Sequence, residues 1–172
     1  MEKRLEALEQ RVRALEDADS LRNLKAQYGE LVDARFDQSG LLPREQVEPL
    51  ADRIADLFTE DAVWDGAALG VSRGRVAIRE RFLSSTLAFS WHFFVKPQIE
   101  VRGDRARGRW DIFSPCTVTD GRAFWMTGVE DDEYVRVGGV WRHASMKLRV
   151  VFMAPYDTGW GERNQSTGEA TP

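Results

Sequence analysis

WHFFVKPQIEVRGDRARGRWDIFSPCTVTDGRAFWMTGVEDDEYVRVGGVWRHASMKLRVVF, residues 91–152, decides the fold. β-Branched and aromatic residues dominate the stretch. Three turn pairs break it: GD at 103–104, DG at 120–121 and GG at 138–139. Long runs separated by two-residue turns describe an antiparallel meander. It also holds Trp91, Phe93, Phe94, Trp110, Phe113, Phe124, Trp125, Trp141 and Phe152, more large rings than such a sheet needs to cover a few helices. With alternate side chains facing one way, these rings suggest a sheet curved round an apolar cavity.

Upstream the texture is helical. Leu5, Leu8, Val12 and Leu15 follow a three, four, three spacing, the a/d rhythm of an arm lying on its own domain or on a neighbouring subunit. This arm is expected over 1–18. Asp17, Asp19 and Ser20 offer N-cap chemistry for a second helix to about Arg35, with Leu21, Leu24, Tyr28, Leu31 and Val32 on its apolar side. Residues 37–49 read as a loop, and Pro49 as the first residue of the helix PLADRIADLF. EDAVWDG at 60–66 reads as a short strand, GVSRGR at 70–75 as a turn, and residues 75–85 as a further helix. Helices first and a curled sheet afterwards make an α+β domain over 19–156. Residues 157–172, ending GERNQSTGEATP, have nothing to bury and are expected to form a flexible tail.

The 172 residues suffice for one domain with a real core. A net charge of −4, with no basic block, gives no sign of nucleic acid or an anionic membrane as partner. Cys116 is the only cysteine, which excludes an intramolecular disulfide and favours a reducing compartment. The charged start MEKRLEALEQ and the lack of a long apolar run argue against a signal peptide or membrane span. A cytoplasmic protein is expected. His92 and His143 lie far apart with no cysteine cluster near either, so no metal is expected. No GxSxG elbow, phosphate loop or dinucleotide fingerprint occurs.

General acid–base chemistry remains. In LKAQYGELVDARFDQ, residues 24–38, Tyr28 and Asp33 are five positions apart. At about 100° per residue this turns Asp33 roughly 140° away from Tyr28. Either Asp33 is on the wet face, or protein wraps the helix on more than one side. Taken alone, His92 reads as a structural histidine, Asp33 as a solvated helix residue and Tyr28 as an amphipathic core residue.

The pattern LKxxYxxxxD, an aromatic-flanked His92, then PxIxV and AxGRW, resembles the SnoaL-like branch of the nuclear-transport-factor-two-like superfamily. Over roughly residues 2–153 the order of elements is most similar to bacterial bile-acid 7α-dehydratase. Scytalone dehydratase and hexachlorocyclohexane dehydrochlorinase share the fold and an Asp–His pair. The resemblance implies a cone, a curled antiparallel sheet with three helices enclosing a pocket, and a homotrimer. It places catalytic roles on Tyr28, Asp33, His92 and Arg149, with Trp64, Phe94, Trp110, Phe113 and Trp125 as candidates to line a hydrophobic substrate. Ser114 stands where the bile-acid enzyme carries a further carboxylate. His143 shares strand parity with Trp141 and Arg149, so it would face the pocket with them unless a bulge intervened.

β-Elimination needs a base to remove a proton α or vinylogous to a carbonyl and an acid to help hydroxide leave. His92 would take the proton with Asp33 fixing its tautomer, Tyr28 would protonate the leaving oxygen or an enolate, and Arg149 would stabilise negative charge. This implies a cofactor-independent dehydratase acting on a hydroxylated polycyclic or steroid-like compound. A double-bond isomerase or C–C lyase using the same site, or a non-catalytic binding module, are the alternatives. The last is favoured if Asp33 is exposed and far from His92.

Overall fold

The computed structural model describes residues 1–160. The chain opens with one unbroken helix, α1 (Glu2–Asp33). The expected break near Asp17 does not occur. The Ser20 hydroxyl donates back to the Glu16 carbonyl, 2.8 Å, so the helix ladder continues through it. Asp17 instead ties the helix to the sheet, accepting from Arg136 Nη2 at 2.6 Å and Trp141 Nε1 at 3.1 Å. Leu5, Leu8, Val12 and Leu15 are all exposed. From Leu21 to Asp33 the helix is buried on several sides, through Leu24, Lys25, Tyr28, Gly29, Leu31 and Val32.

A small hairpin follows, β1 (Phe36–Asp37) against β2 (Gly40–Leu41). Helix α2 (Arg44–Asp56) starts one turn earlier than expected, behind Pro43, and carries Pro49 inside it. Pro49 lacks the N–H that would bond the Glu45 carbonyl, and near the N-terminus only that one ladder bond is lost. Strand β3 (Phe58–Asp65), a 3-10 turn at Ala67–Leu69, β4 (Val71–Arg73) and α3 (Arg75–Phe82) come next. Part of the expected turn at 70–75 is thus strand.

The sheet is completed by β5 (Leu87–Ser90), β6 (Phe93–Arg102), β7 (Arg105–Val118), β8 (Ala123–Val137) and β9 (Val140–Pro155). Turns fall at all three pairs read from the sequence. At the last, Val137 pairs with Val140 and both intervening glycines have positive φ, 58° and 84°, which L side chains rarely adopt. The sheet order is β4-β3-β9-β8-β7-β5, and β6 also pairs with β7. β6 to β9 are antiparallel as expected; β3 joins β9 in parallel, so the curled sheet is mixed. Its inner face packs on the three helices around Leu21, Ile54, Phe58, Ile78, Tyr134 and Met146.

No described helix is long and apolar enough to cross a membrane. Of the expected tail, residues 161–172 lie outside the described residues. Residues 157–160 continue a turn after β9, with Trp160 against Phe152 at 6.1 Å between centroids.

Candidate active site

β5 and β6 pair with the same edge of β7, and Trp91 and His92 fill the gap between them. The His92 amide has no strand partner there, and it donates to Asp33 Oδ2 at 3.0 Å. The ring of the same residue meets Asp33 Oδ1 through Nδ1 at 2.5 Å. A carboxylate oxygen can only accept, so Nδ1 carries the hydrogen, and in the neutral ring this leaves the lone pair on Nε2. Asp33 is the last residue of α1 and is buried, while His92 is partly open. The ring stacks on Phe94, 5.9 Å away and inclined by 13°. Phe94 in turn sits under Gly29, where a Cβ would come within 3.1 Å of its ring.

Tyr28 approaches from one turn earlier on α1. Its hydroxyl accepts from Trp64 Nε1 at 3.0 Å, leaving its own proton to donate. Burial, reinforced by the Glu130 charge, pushes the phenol well above its ordinary range, so Tyr28 is an acid and not a base near neutrality. Tyr28, Trp64, Arg35, Arg81, Ser90 and His92 line one cavity of about 80 Å³ together with Leu69 and residues 84–87. Arg35 donates to the carbonyls of Val32, Phe82 and Ser84 at 3.1–3.3 Å, answering the C-terminal ends of α1 and α3. Burial, chiefly, lowers its pKa to about 10, and the Arg81 charge adds to this. On the far side of His92, a groove of about 470 Å³ runs between α1 and β6, past Gly29, Asp33, Trp91 and Phe94.

Four expected site residues need correction or relocation. Arg149 is exposed. Tyr134 pairs with His143 and Glu133 with Ser145, so Ala144 is an extra residue, and this bulge reverses the facing of the residues after it as far as a second register shift between Val150 and Phe152. Trp141 and His143 are buried before it, Met146 and Leu148 after it. Phe113 and Trp125 also lie opposite the inner face. On β7 the buried positions are Trp110, Ile112, Ser114 and Cys116, and Phe113 stacks outside on Trp125 at 5.3 Å. Trp110 does face inward, but it donates to the Tyr134 hydroxyl at 3.1 Å and is not among the residues lining the cavity.

The cone's interior holds a polar cluster that the sequence reading missed. Lys25 Nζ, fully buried, donates to Asp132 Oδ2 at 2.8 Å and to Glu130 Oε2, and lies 4.4 Å from the Phe94 ring centroid. Tyr134 donates to the same Asp132 oxygen at 2.7 Å. His143 is stacked on Phe58 at 5.0 Å; its ring nitrogens and Asp132 Oδ1 have no hydrogen-bond partner, and Nδ1 stands 3.9 Å from Asp132 Oδ2. Burial, with Glu130 adding its charge against the pull of Lys25, raises Asp132 to about 6. Burial, with Lys25 adding, holds His143 well below its ordinary value. The signal was present: Lys25 falls within the stripe Leu21, Leu24, Tyr28, and Glu130, Asp132 and Tyr134 share one strand parity.

A curled sheet closed by three helices, with a histidine oriented by a buried carboxylate beside a cavity, defines a small cone-shaped α+β protein. The chain belongs to the SnoaL-like domain family, which matches residues 13–147. Hexachlorocyclohexane dehydrochlorinase type 3 from Novosphingobium barchaimii shares the fold at TM-score 0.70 and 19% identity, over 84% of this chain and 93% of that one. A protein from Novosphingobium aromaticivorans provisionally named scytalone dehydratase matches at TM-score 0.68 and 19% identity, over 83% and 89%. A nuclear-transport-factor-two-like protein with a cystatin-like fold, also from N. aromaticivorans, matches at TM-score 0.67 and 23% identity, over 84% and 88%. No curated protein matches significantly.

Proposed function

We propose that the protein is a cofactor-independent lyase, a dehydratase that removes water by acid–base β-elimination from a hydroxylated, hydrophobic carbonyl compound of polycyclic or steroid-like type. The observation that carries this reading is the double contact between Asp33 and His92. A purely structural histidine needs no buried carboxylate on its ring nitrogen and its own amide together. A base needs its ring fixed with one nitrogen open. Tyr28, protonated and lining the same cavity, is the acid for the departing oxygen. Family membership and the dehydratase and dehydrochlorinase names among the structural matches support an elimination.

The cavity is small. About 80 Å³ is well below the roughly 300–1,000 Å³ of ordinary ligand sites. A polycyclic substrate therefore needs the lining to give way, and Leu69, Ser84 and Thr86 are its exposed members.

The test is a mass and ultraviolet assay of wild type and His92→Ala against hydroxylated 3-oxo-4-ene steroids and hydroxylated diaryl compounds. Loss of one water with a new conjugated chromophore, in wild type only, is the expected result. A product of unchanged mass would make the protein an isomerase instead. Undiminished turnover by His92→Ala would remove the mechanism.

A further inference from the structure

The resemblance asked for an arginine to hold negative charge, and the bulge in β9 takes Arg149 out of that role. The cavity nevertheless contains a guanidinium with nothing to neutralise it. Arg81, in the last turn of α3, lies over the indole of Trp64 with Cζ 4.9 Å from the ring centroid. Its neighbours on α3 are committed: Arg79 Nε donates to Asp52 at 2.5 Å, and Arg75 donates twice to the Phe58 carbonyl. Arg81 makes no hydrogen bond or ion pair among the described residues, yet it lines the cavity with Tyr28, Arg35 and His92. An arginine stacked by its face on an indole keeps its N–H edge free to donate. The nearby carboxylate, Asp33, is already occupied by His92 through both oxygens. Two guanidiniums thus line a cavity that, among the described residues, no carboxylate lines.

We propose that Arg81 is the oxyanion-binding residue of this site, taking a carbonyl oxygen of the substrate that acquires negative charge when the adjacent proton is removed. The inference rests on the lyase reading and narrows its substrate to an enolisable carbonyl compound. As the C–H bond breaks, its proton passes to His92 Nε2 and its electron pair forms the C=C bond. The carbonyl π pair moves onto oxygen, where Arg81 donates to it. In the second step that pair re-forms the carbonyl, the enolate C=C pair shifts to make the new double bond, and the leaving oxygen departs with the pair of its broken bond and a proton from Tyr28. Release of the His92 proton and reprotonation of the phenol restore the site. The arginine is thus most useful in the enolate and less so before it, which is the requirement for acceleration.

A stable carboxylate stands in for the enolate. Benzoate and its neutral isostere benzamide are titrated calorimetrically into the whole protein at low and high salt. In wild type benzoate is expected to bind about tenfold or more tightly than benzamide, as a charge-assisted contact provides, with the advantage shrinking as salt rises. Arg81→Gln should abolish the preference without changing circular dichroism, Arg81→Lys should keep part of it, and Arg149→Gln should leave it intact. Equal affinities in wild type, no saturable binding, or a preference that survives Arg81→Gln each overturn the assignment. The result does not depend on turnover. An inactive protein with a benzoate preference lost in Arg81→Gln would keep the anion site and refute the lyase, and the converse pattern would refute only the role of Arg81.

Discussion

Asp33 accepts two hydrogen bonds from the same residue, one from the His92 ring at 2.5 Å and one from the His92 backbone at 3.0 Å. The second fixes where the chain breaks between β5 and β6. The first fixes how the ring is turned, so fold and chemistry share one carboxylate.

Asp33→Asn separates these functions. An amide oxygen can still accept from the His92 amide, but the amide nitrogen then faces Nδ1 and favours the tautomer with hydrogen on Nε2, which cannot take a substrate proton. Nitrogen chemical shifts of the neutral His92 ring should show Nδ1 protonated in wild type and Nε2 protonated in the variant. Turnover of any substrate found should fall by about 10²–10⁴-fold, the usual contribution of a positioned base. A variant with the wild-type tautomer and rate would show the contact to be structural only.

Lys25 bridges two buried carboxylates, Glu130 and Asp132. Lys25→Met removes the charge and leaves Glu130 and Asp132 as unpaired neighbours. Breaking such a group by removing one partner costs about 3–5 kcal/mol. Urea unfolding should show a loss of that size, partly restored when Glu130→Gln is added. A loss below about 1 kcal/mol, the scale of an exposed pair, would mean that water reaches the cluster.

His143 and Asp132 make stability depend on pH in opposite senses. His143 is held below its ordinary value of 6.5 by burial. The unfolded chain therefore binds the proton more readily, and this contribution is present above pH 6.5 and lost as pH falls. Asp132 is raised from 3.8 to about 6. Its contribution is fully present below pH 3.8 and is lost as pH rises through 6. Replacing His143 by Phe removes only the first effect, so the variant should lose less stability than wild type between pH 6.5 and 5. The difference approaches about 1.4 kcal/mol per pH unit at most. Equal unfolding free energies at pH 5 and pH 8 in the two proteins, measured in urea, would count against a buried neutral His143.

How much of this was legible follows from which signals are local. The meander was readable because its turns carry GD, DG and GG; the apolar spacing marked α1 as helical but not as unbroken, since Asp17, Asp19 and Ser20 looked like a cap inside it. The pairing of Asp33 with His92 came from a resemblance, since no spacing links positions 59 apart. Arg149 was misplaced because one residue, Ala144, is inserted in a bulge without a local marker and flips the stretch of strand that carries it. Phe113 was a different error: it cannot share a face with Trp110 three positions away, and parity alone would have excluded it. Pro49 shows the limit of a positional rule, since a proline near a helix start fits the first position and, at modest cost, the first interior turn as well.

The exposed stripe on α1 gives the last expectation. Leu5, Leu8, Val12 and Leu15 touch no part of the domain strongly enough to be covered, and Leu15 keeps 71% of its surface. A short helix segment in water gains little without burying such a face, and an a/d rhythm is the pattern that a second helix covers. Family resemblance sets the expected number of copies at three. Light scattering after gel filtration should then give three times the 19.6 kDa chain mass. Leu8→Glu with Leu15→Glu should lower it, because charges at both positions cannot be desolvated in the contact. A wild-type mass of one chain would show that the stripe meets no second copy. A trimer indifferent to both glutamates would move the interface elsewhere, most directly to the outer ladder of Phe93, Phe113, Trp125 and Tyr156.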